Sequence, residues 1–230
     1  MTTFQIIALI LIVIWLLLVA ARFRRSNAVL IGGLFVVGLF TLVEFIVGKV
    51  TPVELGLGAP QSWLATVLFA LAGLAMMLAY SPLADWLASR WFTKPPTLQA
   101  FGAIQRGWVS LVAGILVAWI LGGILEELVA RGIVLNSIEA GLRPLLGAPA
   151  AAILAILLAA AGAGVMHFYQ GPRAMVIIAQ LSILFGILFV VSGHNLWAVM
   201  ICHGLYDIIA FIRFANKKSR YSDMEQNKTV

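Results

Sequence analysis

Residues Trp108–Leu135 read WVSLVAGILVAWILGGILEELVARGIVL. Apart from Ser110, Glu126, Glu127 and Arg131 the run holds only apolar residues and glycine, and it exceeds the roughly 20 residues that a helix needs to cross the hydrocarbon of a bilayer. Lipid offers no partner to an unpaired backbone N–H or C=O, so a run of this kind folds as a helix whose bonds close within itself. Working outward, the same criterion selects Phe4–Ala21, Ala28–Gly48 and Trp63–Leu83 before it. After it come Ala150–Phe168, Ala174–Ser192 and Leu196–Phe214. The expected fold is all-α: a polytopic transmembrane helix bundle of about seven spans plus an interfacial amphipathic segment.

Composition agrees. The 230 residues are 63% hydrophobic and 10% charged, with a mean hydropathy of +1.06. Soluble domains carry about 45–50% apolar and about 25% charged residues. Disorder, collagen-like repeats and nucleic-acid binding are excluded, because the net charge of +6, from 15 basic and 9 acidic residues, gathers at span ends instead of forming a binding face. The single cysteine, Cys202, rules out an intramolecular disulfide, and there is no C-x-x-C pair for zinc or redox work. Neither a cofactor nor a metal is expected.

The charge pattern orients the bundle. Arg22, Arg24 and Arg25 follow the first span at once, which reads as an uncleaved anchor and not as a signal peptide. With those arginines in the cytoplasm, alternation places 12 of the 15 basic residues at cytoplasmic ends: Arg22, Arg24, Arg25, Arg90, Lys94, Arg106, Arg173, Arg213, Lys217, Lys218, Arg220 and Lys228. Pro82–Gly107 mixes Trp86, Trp91 and Phe92 with Asp85, Arg90 and Lys94 and is expected to lie along the interface. The chain divides into residues 1–107 (three spans and the interfacial segment), 108–214 (the charge-bearing core) and 215–230 (a polar tail). The localisation expected is integral, multi-pass, in a bacterial plasma membrane.

Ionisable groups within spans cost about 2.5–3.5 kcal/mol each on insertion scales, so each needs a reason. Glu127 and Arg131 are four apart on one helical face and can neutralise each other. Glu126 is turned by about 100° from Glu127 and left to the bundle interior. Gly122 and Gly123 before it allow another helix to approach closely. His203 and Asp207 repeat the four-residue spacing, so the carboxylate is expected to hold one imidazole nitrogen and orient the ring. His167 follows the small residues Ala159–Gly164. Glu44 and His194 read as interfacial or packing groups, and Cys202 as a small buried hydrophobe. A helix ruler sets a difficulty: Glu126 lies about 27 Å from Trp108 and His167 about 26 Å from Ala150 on oppositely directed helices, near opposite faces. Tilt, a longer fourth helix or a re-entrant segment between Arg131 and Ala150 would bring them together.

These residues resemble the CPBP family of intramembrane glutamic proteases, which includes CAAX prenyl endopeptidases and the bacteriocin-processing or self-immunity (Abi) proteins. Glu126-Glu127-Leu128-Val129-Ala130-Arg131 matches its E-E-x-x-x-R motif. Gly164-Val165-Met166-His167 resembles the end of F-x-x-x-H, with Ala163 at the phenylalanine position. His203-Gly204-Leu205-Tyr206-Asp207 resembles H-x-x-x-N/D. The resemblance covers roughly Val109–Phe214. It implies hydrolysis of a peptide bond in a membrane-associated peptide or protein substrate, with prenylated CAAX-type chains as one class. It also implies that Glu126 and His167 activate water and that His203 and Asp207 stabilise the oxyanion or support the group that does, Glu127 and Arg131 serving as support. An ionised Asp207 has no proton to donate, so its expected task is orienting His203. Three other readings compete. A zinc protease would use the same side chains, but H-E-x-x-H is absent. A non-catalytic scaffold or self-immunity protein would keep the polar cluster only to bind its helices together. A transporter would use it as a proton relay.

Overall fold

In a computed structural model of the chain, residues 2–21 and 27–226 are described. Arg22, Arg24, Arg25 and Lys228, all counted in the charge balance, lie outside them. The elements in chain order are α1 (Thr3–Ala21), α2 (Asn27–Ile46), α3 (Trp63–Ser89), a 3-10 segment (Gln99–Arg106) and α4 (Trp108–Ala118). Two π-helical stretches (Trp119–Glu126 and Leu128–Leu135) lead to α5 (Asn136–Leu146), α6 (Ala148–Met166), a short 3-10 turn (Phe168–Gln170), α7 (Pro172–Val191) and α8 (Leu196–Gln226). No strand occurs among the described residues.

Five helices are long and apolar enough to cross a membrane: Trp63–Ser89, Trp108–Leu146, Ala148–Met166, Pro172–Val191 and Leu196–Asn216. The described apolar parts of the first two helices are shorter, Thr3–Leu18 and Phe35–Ile46. The molecule is an integral membrane helix bundle.

Two sequence boundaries move. Helix α3 does not stop before the interfacial segment but runs through Pro82 to Ser89. Proline lacks the N–H that would bond the carbonyl four residues back. Here the Ser81 hydroxyl donates to that carbonyl, Leu78 O, at 3.4 Å, the kind of side-chain substitute that makes proline tolerable in a membrane helix. The other end of α3 is capped by Ser62, whose Oγ accepts from Ala65 N at 3.2 Å. The larger change is in the fourth span. It does not end at Leu135: α4, the π-helical stretches and α5 form one rod of 39 residues, Trp108–Leu146, which turns at Gly147 (φ +74°) straight into α6.

Packing follows the small residues. Helix α6 lies against α5 on one side and α7 on the other. A Cβ on Gly164 would come within 2.6 Å of Met175 O, and one on Gly186 within 3.0 Å of Ile156 Cγ2. Helices α6 and α7 can therefore touch backbone to side chain only because both positions are glycine. Met77, Leu135, Ala155, Phe185, Phe189, Leu196, Val199 and Cys202 form the main core. Cys202 is fully buried, with Sγ 4.0 Å from Met77 Sδ. A second cluster joins Phe4, Ile12, Trp15 and Val37 to Val129 and Ile133 of the rod.

At one end of the bundle the loop before α3 is tied to α8 by Leu196 N donating to Gly56 O at 2.9 Å and Trp197 Nε1 to Leu57 O at 3.2 Å. At that end, too, His194 Nε2 and Glu139 Oε2 meet at 2.9 Å. At the other end Arg173 makes a bidentate pair with Asp85, Nε to Oδ1 at 2.8 Å and Nη2 to Oδ2 at 2.7 Å.

Candidate active site

The turn at Gly147 resolves the ruler difficulty. Glu126 precedes Gly147 by 21 residues and His167 follows it by 20. At about 1.5 Å per residue each stands some 30 Å from the turn, so in an antiparallel hairpin the two are level. Of the three routes left open by the sequence, the longer fourth helix is the one found. The placement of the two side chains near opposite faces is thereby corrected, since it came from ending the fourth span eleven residues too early.

His167 caps the C-terminal end of α6. Its backbone N–H bonds Gly164 O at 3.1 Å in a 3-10 closure, which leaves Ala163 O without its usual helical donor. The imidazole supplies it: Nδ1 lies 2.9 Å from Ala163 O. A carbonyl only accepts, so Nδ1 carries the proton and the neutral ring keeps a lone pair on Nε2. The Tyr169 ring stacks on His167, centroids 5.8 Å apart and planes 29° from parallel. The Ala163 side chain thus stands at the motif's phenylalanine position while its backbone holds the histidine.

His203, on α8, is held through the same nitrogen by a different acceptor. Its Nδ1 lies 2.6 Å from Glu127 Oε1, whereas Asp207 Oδ2 is 3.6 Å from Nε2, beyond a hydrogen bond. The orienting carboxylate is therefore Glu127 and not Asp207. Proximity along one helix suggested the second; a residue 76 positions away provides the better geometry. Glu127 also pairs with Arg131 as its spacing predicts, Nη1 to Oε1 at 2.9 Å, both side chains almost wholly buried. Arg131 Nη2 continues to Ser182 Oγ at 2.6 Å and Ser182 O at 3.0 Å. Phe185 completes the packing: its ring stacks on His203 at 4.7 Å and lies under the Arg131 guanidinium at 5.2 Å. Ser182 and Phe185 were missed by sequence reasoning. A hydroxyl in the middle of an apolar span was the signal for Ser182; nothing distinguishes Phe185 from an ordinary core phenylalanine.

Glu126 differs in character from its neighbour. It is half-buried and makes no hydrogen bond with another protein group among the described residues. It shares one electrostatic neighbourhood with Asp207, His203, Glu127 and His167. Gly122 opens the floor of the site, since a Cβ there would lie 3.0 Å from Asp207 Oδ2 and 3.5 Å from His203 Nε2. Gly123 faces Gly204 of α8, with a Cβ 3.6 Å from its Cα, and Gly204 in turn receives the Trp119 ring. Gly122 and Gly123 sit in the first π-helical stretch, an unwound geometry that accompanies functional sites in helices.

Four polar side chains thus share one neighbourhood: Glu126 and Asp207 as acceptors, and two imidazoles pinned at Nδ1 with Nε2 left for chemistry. Glu126 and His167 are not hydrogen-bonded to each other. Among the described residues no group of three His, Cys, Asp or Glu side chains is arranged to hold a metal ion. Glu44 lies in the last turn of α2. His194 belongs to the opposite end, with Glu139.

Residues 108–209 match the family described as type II CAAX prenyl endopeptidase, Rce1-like. That segment begins with α4 and ends two residues past Asp207, so it contains every side chain of the cluster. Neither the curated proteins nor the solved structures give a match. Over residues 108–209, somewhat less than half of the chain, the protein is similar to the CAAX prenyl endopeptidase family.

Proposed function

We propose that the protein is an intramembrane glutamic endopeptidase that hydrolyses a peptide bond in a membrane-associated substrate, prenylated CAAX-type chains among them, in a bacterial plasma membrane. The observation that carries this reading is the division of labour within the acid doublet. Glu127 is consumed by Arg131 and His203, while Glu126, one residue before it, keeps its carboxylate free of protein hydrogen bonds among the described residues.

The chemistry then runs as general acid–base catalysis. A water between the Glu126 carboxylate and His167 Nε2 loses its proton to Glu126 as its oxygen attacks the scissile carbonyl carbon. His203 turns Nε2 to the carbonyl oxygen. As the imidazolium it donates there, and Glu127 at 2.6 Å from Nδ1 supports that form. The proton held by Glu126 passes to the leaving nitrogen, and the two peptide fragments separate. Asp207 lies 3.6 Å from Nε2 and adds its charge to the same ring.

The Glu126→Gln variant, reconstituted beside the wild type and offered farnesylated and unprenylated C-terminal peptides, is expected to lose cleavage by at least about 10²-fold, the low end of what removing a general base costs. It should remain folded, because no protein hydrogen bond is broken. Equal products from both forms refute the role of Glu126. The scaffold reading has one observation in its favour: the buried chain His203, Glu127, Arg131, Ser182 binds α8, the rod and α7 together. Under it the Gln variant keeps the full biological effect.

A further inference from the structure

Peptide hydrolysis needs hydrogen-bond donors for the oxygen that becomes negative, and the four motif side chains are short of them. Glu126 is an acceptor, and so is an ionised Asp207. His167 donates its Nδ1–H in a hydrogen bond to Ala163 O, and His203 donates its own to Glu127. His167 keeps only a lone pair at Nε2, so His203, as the imidazolium that Glu127 supports, is the one donor of the four. An uncharged donor is missing from the set.

The turn Phe168–Gln170 supplies one. Tyr169 stacks on His167, so its ring is carried on the same turn as the proposed base. Its oxygen accepts from Gln170 Nε2 at 2.9 Å, which occupies a lone pair of the phenol and leaves its proton for another partner. The turn is anchored from outside by Thr97 N donating to Gln170 O at 2.9 Å. Resting on the protease reading above, we infer that the Tyr169 hydroxyl is a catalytic hydrogen-bond donor to the carbonyl oxygen of the scissile peptide, acting beside His203 Nε2.

Burial holds the Tyr169 phenol above its ordinary value of 10.0; the hydrogen bond from Gln170 works against it, and the charges of Glu126 and Asp207 add to it. The donor form therefore persists throughout the neutral and mildly alkaline range, and its contribution is lost only as pH rises past that elevated value. Tyr169 also packs against the cluster of Phe4, Val129 and Ile133, so its hydroxyl has to be tested apart from its ring.

Tyr169→Phe tests this cleanly because the ring that stacks on His167 is kept. With a farnesylated peptide as probe, kcat is expected to fall about 10²-fold, the loss seen when one oxyanion donor is removed, while KM stays within about twofold. Gln170→Met, which frees the phenol oxygen, is expected to lower kcat by a smaller factor in the same direction. Tyr169→Phe with wild-type kcat overturns the inference, as does a loss confined to KM or accompanied by a lower melting temperature. Glu126→Gln run in parallel separates the two readings. If it is inactive while Tyr169→Phe is not, only the donor role fails; if it cleaves normally, the protease mechanism fails and the donor role with it.

Discussion

Glu126 and Glu127 are adjacent in sequence and share a chemical formula, yet their surroundings differ. Glu127 accepts from Arg131 and His203 with both Glu127 and Arg131 buried, and its Oε2 and Arg131 Nε have no protein partner there. That ion pair is poor evidence of stability by itself, because removing two charges from water costs about as much as their attraction returns. Breaking it is another matter. Glu127→Ala leaves Arg131 charged and buried, and the expected destabilisation is about 3–5 kcal/mol, visible as a lowered thermal midpoint of the detergent-solubilised protein. Glu126→Gln should leave that midpoint unchanged. If the two variants melt alike, the division of labour between the acids is wrong. The Glu127–Arg131 half of this arrangement was legible from a four-residue spacing. The His203 half was not, because spacing along one helix says nothing about an acceptor arriving from another.

At the level of elements, the hairpin of the rod and α6 sets the site, and the glycines of α6 and α7 set the hairpin against α7. Gly164 stands three residues before His167, and a Cβ there would meet Met175 O at 2.6 Å and Ala179 Cβ at 3.0 Å. Backbone oxygen cannot turn aside as a side chain does, so Gly164→Ala must move one helix. The expected cost is about 1–3 kcal/mol, as for other overpacked positions, together with a loss of cleavage from the displaced His167. Both are read by thermal melting and peptide assay on one preparation; an active, unshifted Gly164→Ala would show that the two helices do not fix the histidine. The apolar helices were all legible from hydropathy, because lipid demands long unbroken runs. The length of the rod was not. Asn136, Ser137, Glu139 and Arg143 look like the polar exit of a span, and Pro144 like its terminus. In the structure Ser137 and Glu139 are buried, because Glu139 turns to His194 and Arg143 while Pro144 falls close enough to the helix end for the break to come only at Gly147. The close packing before His167 was foreshadowed by its small residues, but Tyr169 drew no notice, since one aromatic near a span end is ordinary.

For the whole molecule, the two ends of the bundle differ. His167, Tyr169 and the Arg173–Asp85 pair gather where α6 gives way to α7, the end that also carries Arg90 and Lys94 beyond α3. The positive-inside bias assigns that end to the cytoplasm. Cysteine accessibility tests the orientation with little interference, because Cys202 is fully buried. In intact cells, a membrane-impermeant maleimide is expected to label Gln61→Cys and to leave Lys94→Cys unlabelled until the membrane is opened. The reverse pattern would invert the bundle and place substrate entry on the other side.

The rod itself has a bearing on where such a protein can work. Its 39 residues extend for about 55 Å, against a hydrocarbon slab of roughly 30 Å. The excess must be met by inclination, by projection into the headgroups or by deformation of the lipid around it, and each carries a modest cost for every ångström of mismatch. Since Glu126 rides on that rod, under the proposed mechanism the thickness of the host membrane sets the depth at which a scissile bond meets its water.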